Sequence, residues 1–250
     1  AVRDDGGLVT TTYERAQQIV GCAVHAVSGG LVESAAVIPG TNGDQIWFVV
    51  RRTINGSAVK YIEYMNAPYD GSSVDIEQAV YADSALSYSG ASTSTVSGLG
   101  HLEGETVGVL ADGFDIGNAV VSSGAITLPQ SKSASDIVVG LRYTSRLETL
   151  RLPAAGNADG SGLGRRKQSG EVWADILESA GLKVGTPTRI EPLRAAALAD
   201  DDNPSGVLKT GMYRLFASDS WRNGGVAVIE TKSMYPATIR ALMLGVEGEP

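Results

Sequence analysis

At 250 residues, with a formal net charge of −8, 31 glycines, 6 % aromatic residues and one cysteine, the chain excludes several classes at once. One cysteine rules out a disulfide scaffold, and no apolar run approaches the ~20 residues of a membrane-spanning helix. The acid is concentrated in the front part: residues 1–150 carry 8 Lys and Arg against 16 Asp and Glu, whereas residues 151–250 carry 12 of each. That balance argues against electrostatic capture of nucleic acid, which requires clustered cations that release counterions.

The length allows one large or two to three small domains. Many glycines with few aromatics suit short strands joined by tight turns. No charged-then-apolar start reads as a signal peptide, and Ala1 in place of Met suggests a processed or fragment terminus. The lone cysteine gives no argument for secretion and mildly favours folding in a reducing compartment.

In chain order, residues 17–27 read as a strand, followed by a Ser28-Gly29-Gly30 turn. Residues 31–38 read as a second strand, stopped by Pro39-Gly40. Residues 43–64 hold the strongest local signal, two β-branched and aromatic runs separated by Asn55-Gly56. A two-residue turn of type I′ needs φ > 0 twice, which Asn and Gly tolerate. Alternation puts Ile46, Phe48 and Val50 on one face and Trp47 and Val49 on the other, with both hairpin strands expected inside a sheet. The expectation is a four-stranded antiparallel meander resembling one propeller blade. A single blade cannot close a propeller, so the remainder would lie outside this chain.

Residues 66–73 shift in composition and read as a linker. Short strands are then expected at 84–88, 95–98, 106–111, 119–121, 125–128 and 136–143, with a turn at Asp112-Gly113. Spacing of roughly 8–12 residues suits a compact β-barrel or sandwich. Residues 153–170, poor in apolar side chains and rich in Gly, read as a mobile loop. Residues 171–178 alternate as a strand does, though a short helix fits almost as well. Residues 191–202 are Ala-rich and could hold a helical turn, while 224–232 and 237–246 read as closing strands. The fold class is therefore all-β, with a blade-like meander at 1–70, a small barrel or sandwich at 71–150, and a C-terminal β module at 151–250.

Candidate chemistry is sparse. Cys22 and His25 have half of a zinc spacing, but a structural site needs four ligands and the other histidine, His101, has no ligand-spaced companion. Three positions apart on a strand, the two side chains point to opposite faces, which leaves a buried thiol and a partly exposed imidazole. Cys22 with His101 as a nucleophile pair lacks the helix N-terminus or sharp elbow that would lower the thiol pKa. Glu103, Glu105 and Asp112 could pair as glycosidase carboxylates, yet acidic residues near turns are usually solvated. The Gly-rich segment at 160–164 runs into Arg165, Arg166 and Lys167 but lacks the Gly-Lys-Ser/Thr of a phosphate loop. These three cations form the one basic patch, a candidate contact for DNA or an acidic neighbouring subunit, or simply a solvated loop. Trp47 and Trp173 lie in apolar strand contexts that favour burial, which leaves Trp221 as the candidate exposed contact. No catalytic residue, cofactor or metal ligand is assigned.

The wording YERAQQIVG, then VESAAVIPGTNGDQIWFVVRRTINGSAVKYIEY, resembles phage tail proteins of the packaged-DNA stabilisation or tail nozzle type. GLGHLEGETVGVLADG, VVGLRYTSRLETL, GSGLGRRKQSGEV and WRNGGVAVIETKSMYPATIRALMLGVEGE continue the resemblance in order. It implies the C-terminal portion of a non-enzymatic structural protein of the virion tail, assembled in the bacterial host cytoplasm. Identical subunits would form a ring, with a hexamer as the candidate size, docked to other tail, adaptor or portal proteins. Double-stranded DNA would pass through without sequence-specific binding, and an acidic wall would repel it. The alternative is a tail-associated carbohydrate-binding or carbohydrate-degrading module, which needs a groove of exposed aromatics or paired carboxylates. A generic assembly subunit of a non-phage particle is a third reading.

Overall fold

The structure, a computed structural model, describes residues 1–40, 43–69, 71, 75–151, 166–193, 208–216 and 225–248. Among these residues all regular elements longer than a single 3₁₀ turn are strands, and every pairing is antiparallel. The all-β expectation therefore holds among the described residues. The chain divides into two compact units, 1–143 and 144–250.

In the first unit, β1 (Leu8–Glu14) and β2 (Ile19–His25) form a two-stranded ribbon. β3 (Gly30–Ile38), β4 (Gln45–Ile54) and β5 (Ser57–Tyr64) form a three-stranded meander with β4 in the middle. The β4–β5 hairpin closes as its sequence requires: Ile54 pairs with Ser57, and Asn55 and Gly56 have φ of 47° and 75°. Gly56→Val is expected to cost about 1–2 kcal/mol, the penalty for a side chain at left-handed φ, read as a lower urea midpoint.

The four-stranded blade is not formed. β2 pairs with β1 alone and β3 starts a separate sheet. The reason lies in Ser28, expected in a plain hairpin turn. Its N–H donates to Asp83 Oδ2 at 2.6 Å and its hydroxyl to the Arg142 carbonyl at 2.9 Å. The segment is thus anchored to the body, and the chain cannot fold straight back along β2. β5 is also an edge strand, not an interior one.

The meander alternates as expected. Val50, Arg52 and Ile54 are buried, and across the register sit Val59, Tyr61 and Glu63, which are half-buried. On the opposite face Ile62 is 74 % exposed, and Glu33 bridges Arg51 and Lys60.

β6 (Asp83–Thr93), β7 (Thr95–Ser97), β8 (Thr106–Ala111), β9 (Phe114–Val120), β10 (Ala125–Thr127) and β11 (Ala134–Leu141) follow the expected short-strand spacing. Asp112 and Gly113, with φ of 45° and 79°, turn β8 into β9. The sheet order β6-β11-β8-β9 leaves β6 and β9 as edges, so the described strands form an open sheet rather than a closed barrel. Its core includes Leu102, Val107, Val109, Ile116, Ile137 and Val139, and Ile54, Val59 and Tyr61 of the meander pack into it.

The second unit holds β12 (Ser145–Glu148), β13 (Lys167–Ser179), β14 (Leu182–Thr186), β15 (Arg189–Pro192), β16 (Lys209–Phe216), β17 (Val228–Thr231) and β18 (Thr238–Gly248). They make two sheets, β16-β13-β18 and β12-β17-β14-β15. Val172, Ala174 and Ile176 of β13 pack with Leu182, Val184, Ala227 and Ile229, a period-two pattern that settles 171–178 as strand. Residues 167–170, expected at the end of a loop, begin β13 because β18 continues the ladder past them, with Lys167 opposite Gly248. The remaining expected loop residues up to 165, and the Ala-rich stretch from 194, lie outside the described residues. Arg189 and Glu191 form an ion pair within β15.

Candidate functional site

The densest polar chemistry lies in the first unit, where β4 places Arg52 on the buried face of the meander. Its guanidinium forms a fork-to-fork pair with Glu63, with Nε to Oε1 at 3.1 Å and Nη2 to Oε2 at 2.9 Å. Nη1 donates to the Ser28 carbonyl. The Arg52 side chain is 0 % exposed and that of Glu63 15 %. Such a pair holds geometry because each guanidinium nitrogen finds an acceptor.

Asp83 joins this group by accepting the Ser28 amide. Burial pushes its carboxyl above the ordinary value of 3.8, against the pull of the Ser28 N–H and of Arg52, while Glu63 adds to the rise. A carboxyl whose folded pKa is raised binds its proton more tightly in the folded state. Its contribution to stability is present below the ordinary value and is lost as pH rises from 3.8 through the raised value. Asp83→Asn, which keeps an acceptor for Ser28, is expected to raise stability at neutral pH and flatten that slope. Urea titrations at acid and neutral pH check this, and an unchanged slope would contradict it. Burial similarly pushes the Tyr143 hydroxyl up to about 12, with the charges of Asp83 and Tyr81 adding to the rise.

Arg142 makes a second clamp, paired with both Asp115 oxygens, Asn118 Oδ1 at 2.7 Å and the Gly117 carbonyl at 3.0 Å. These groups are mutually satisfied, so the arrangement locks strands and leaves no nucleophile beside a base. What the cluster does is structural: it fixes where the meander sits in its unit.

The other sequence candidates take separate roles. Cys22 is exposed rather than buried, because the ribbon has no covering layer, and its sulfur lies 3.5 Å from Thr11 Oγ1. His25 contacts Thr10 Oγ1 at 2.8 Å on the other face, as three-residue spacing requires. His101 is engaged elsewhere, its Nε2 lying 3.0 Å from the Ser84 carbonyl. Among the described residues no group of three His, Cys, Asp or Glu could hold a metal.

Asp112 is exposed and Glu103 half-buried, and neither carboxylate pairs with the other. Glu103 accepts the amides of Ser123 and Gly124 at 2.8 and 2.7 Å, and Asp112 those of Ser135 and Asp136 at 2.9 Å. Both carboxylates hold turns. Glu105 is half-buried and its amide donates to the Leu102 carbonyl.

Two residues of the basic run are described. Arg166 is exposed, but Lys167 is buried at the start of β13, and Arg165 lies outside the described residues. Trp221 also lies outside them. Trp47 and Trp173 are half-buried rather than buried: Trp47 sits 5.1 Å from the Tyr64 ring, and the Arg214 guanidinium lies 5.3 Å from the Trp173 ring. An open groove of about 370 Å³, lined in part by Thr95, Asn118, Val120, Ile126 and Pro129, contains no aromatic or titratable side chain. It lacks what sugar binding needs. No helix among the described residues is long and apolar enough to cross a membrane.

Large apolar side chains are exposed on both the ribbon and the meander. Tyr13, Val20, Val24, Val37, Ile38 and Ile62 are each between 49 and 74 % exposed, all on the ribbon and the meander. Comparison with known proteins finds no family model that matches this chain and no curated protein with significant similarity to it.

Proposed function

We propose that this chain is a non-enzymatic structural subunit of a bacteriophage tail, of the nozzle or hub type, that assembles with copies of itself. The observation that carries the assembly role is the exposed apolar surface of the ribbon and meander, where Tyr13, Val20, Val24 and Ile62 lie in water. Exposed apolar side chains that share a face, as Tyr13, Val20 and Val24 do on the ribbon, mark contact sites. The tail setting rests on the sequence resemblance. In that setting the subunits ring the path of the genome, dock on other tail, adaptor or portal proteins, and let double-stranded DNA pass.

The acid excess of residues 1–150 supports a channel wall that repels DNA, because like charge prevents the cation contacts that retain it. Negative-stain microscopy of the purified protein tests the reading, followed by a charge map of the assembly. A ring with an acidic lumen is the expected result. A neutral or basic lumen would overturn the channel role.

A further inference from the structure

The β1–β2 ribbon has two features that no other described sheet combines. First, its outer strand is unguarded. Edge strands are normally protected from pairing with another chain by charges, Pro or bulges. Among the described sheets, every edge strand of four or more residues carries Asp, Glu, Lys or Arg, except β2, whose sequence is IVGCAVH. Second, the ribbon leaves its own body. β1 passes from buried Leu8 to exposed Glu14, and all seven residues of β2 are exposed. A lone two-stranded ribbon is marginal in water, and further strands on its edge stabilise it.

Register adds a third point. β1 pairs Val9 with Val24, Thr11 with Cys22 and Tyr13 with Val20, so one face holds Val9, Thr11, Tyr13, Val20, Cys22 and Val24. The outer strand is nearly symmetric about Cys22, with valine two positions to either side and a small residue, Gly21 or Ala23, next to it.

We propose that β2 pairs antiparallel with β2 of a second copy of this chain, on a two-fold axis at Cys22, to make the four-stranded sheet β1-β2-β2-β1. Val20 then faces Val24 of the second copy, twice, and the two Cys22 residues face each other. Antiparallel pairing preserves the faces, because partners keep the same parity. Directly opposite side chains have Cβ atoms about 4.5–5.5 Å apart, which small rotations bring within disulfide reach. This contact does not rest on the tail reading, since a dimer in any setting would use it.

The test is sedimentation of the whole chain together with thiol crosslinking. Wild type should sediment as a dimer or a multiple of it. Diamide should join two chains at Cys22, with the diamide taking up the two electrons and two protons that the thiols release. Val20→Lys and Val24→Asp should each weaken the dimer tenfold or more, because each sets a charge against an apolar partner. The double variant Val20→Lys/Val24→Asp should regain it, since each lysine then faces an aspartate. Leu147→Lys, at an exposed apolar position on the edge strand β12, should leave it unchanged. All three β2 variants alter exposed positions, and circular dichroism confirms that they fold.

A wild-type monomer at about 100 μM, an assembly indifferent to the single variants, or no rescue in the double variant would overturn the proposal. A ring seen by microscopy that persists in the single variants would also overturn this contact and leave the tail reading standing.

Discussion

Arg52→Ala is expected to lower the stability of the protein by about 3 kcal/mol, the low end for removing one member of a buried ion pair. The alanine leaves the Glu63 side chain, 15 % exposed, with no counter-charge, and the Ser28 carbonyl without its donor. It also removes the cation that opposes the rise of the Asp83 carboxyl, so the loss should grow as pH rises toward neutrality. The urea midpoint at two pH values reads both effects. Arg52→Met paired with Glu63→Gln should recover part of the loss, because no uncompensated charge then remains inside. A wild-type midpoint for Arg52→Ala would show that the cluster does not hold the meander.

The second large effect is expected at Ile137. This residue is 1 % exposed on β11, the interior strand between β6 and β8, with Tyr88 and Ala111 as its register partners. Ile137→Ala removes three methyl or methylene groups where neighbours on both sides are held by backbone pairing and cannot close the gap. A cost of about 3–4 kcal/mol follows, within the usual range for such truncations. Guanidinium unfolding followed by tryptophan fluorescence measures it. A change below 1 kcal/mol would mean that this sheet is packed more loosely than its burial indicates.

Local pattern made some of this legible and hid the rest. Asn55-Gly56 set the hairpin because a two-residue turn with two positive φ values leaves few residue choices. The strands from Asp83 to Leu141 were legible because turns recur at short spacing between β-branched runs. The blade failed on Ser28, since a serine anchored by Asp83 and Arg142 looks in sequence like any turn serine. β1 was missed because LVTTTYE carries little apolar signal, and its strand state comes from pairing with β2.

The polar cluster did have a signal. Val50, Arg52 and Ile54 share one parity on β4, as do Val59, Tyr61 and Glu63 on β5, so alternation alone puts Arg52 and Glu63 on the same buried face. Glu103 and Asp112 left no such trace: the amides they accept lie twenty or more positions further along the chain. Cys22 was expected inside because free thiols usually are, but nothing covers the ribbon that carries it.

The proposed role requires assembly through the exposed β surfaces. Electron microscopy of the purified protein, with its mass measured in the same buffer, tests that most directly. The prediction is a closed ring of identical subunits around an acidic lumen. A monodisperse monomer at high concentration would contradict it.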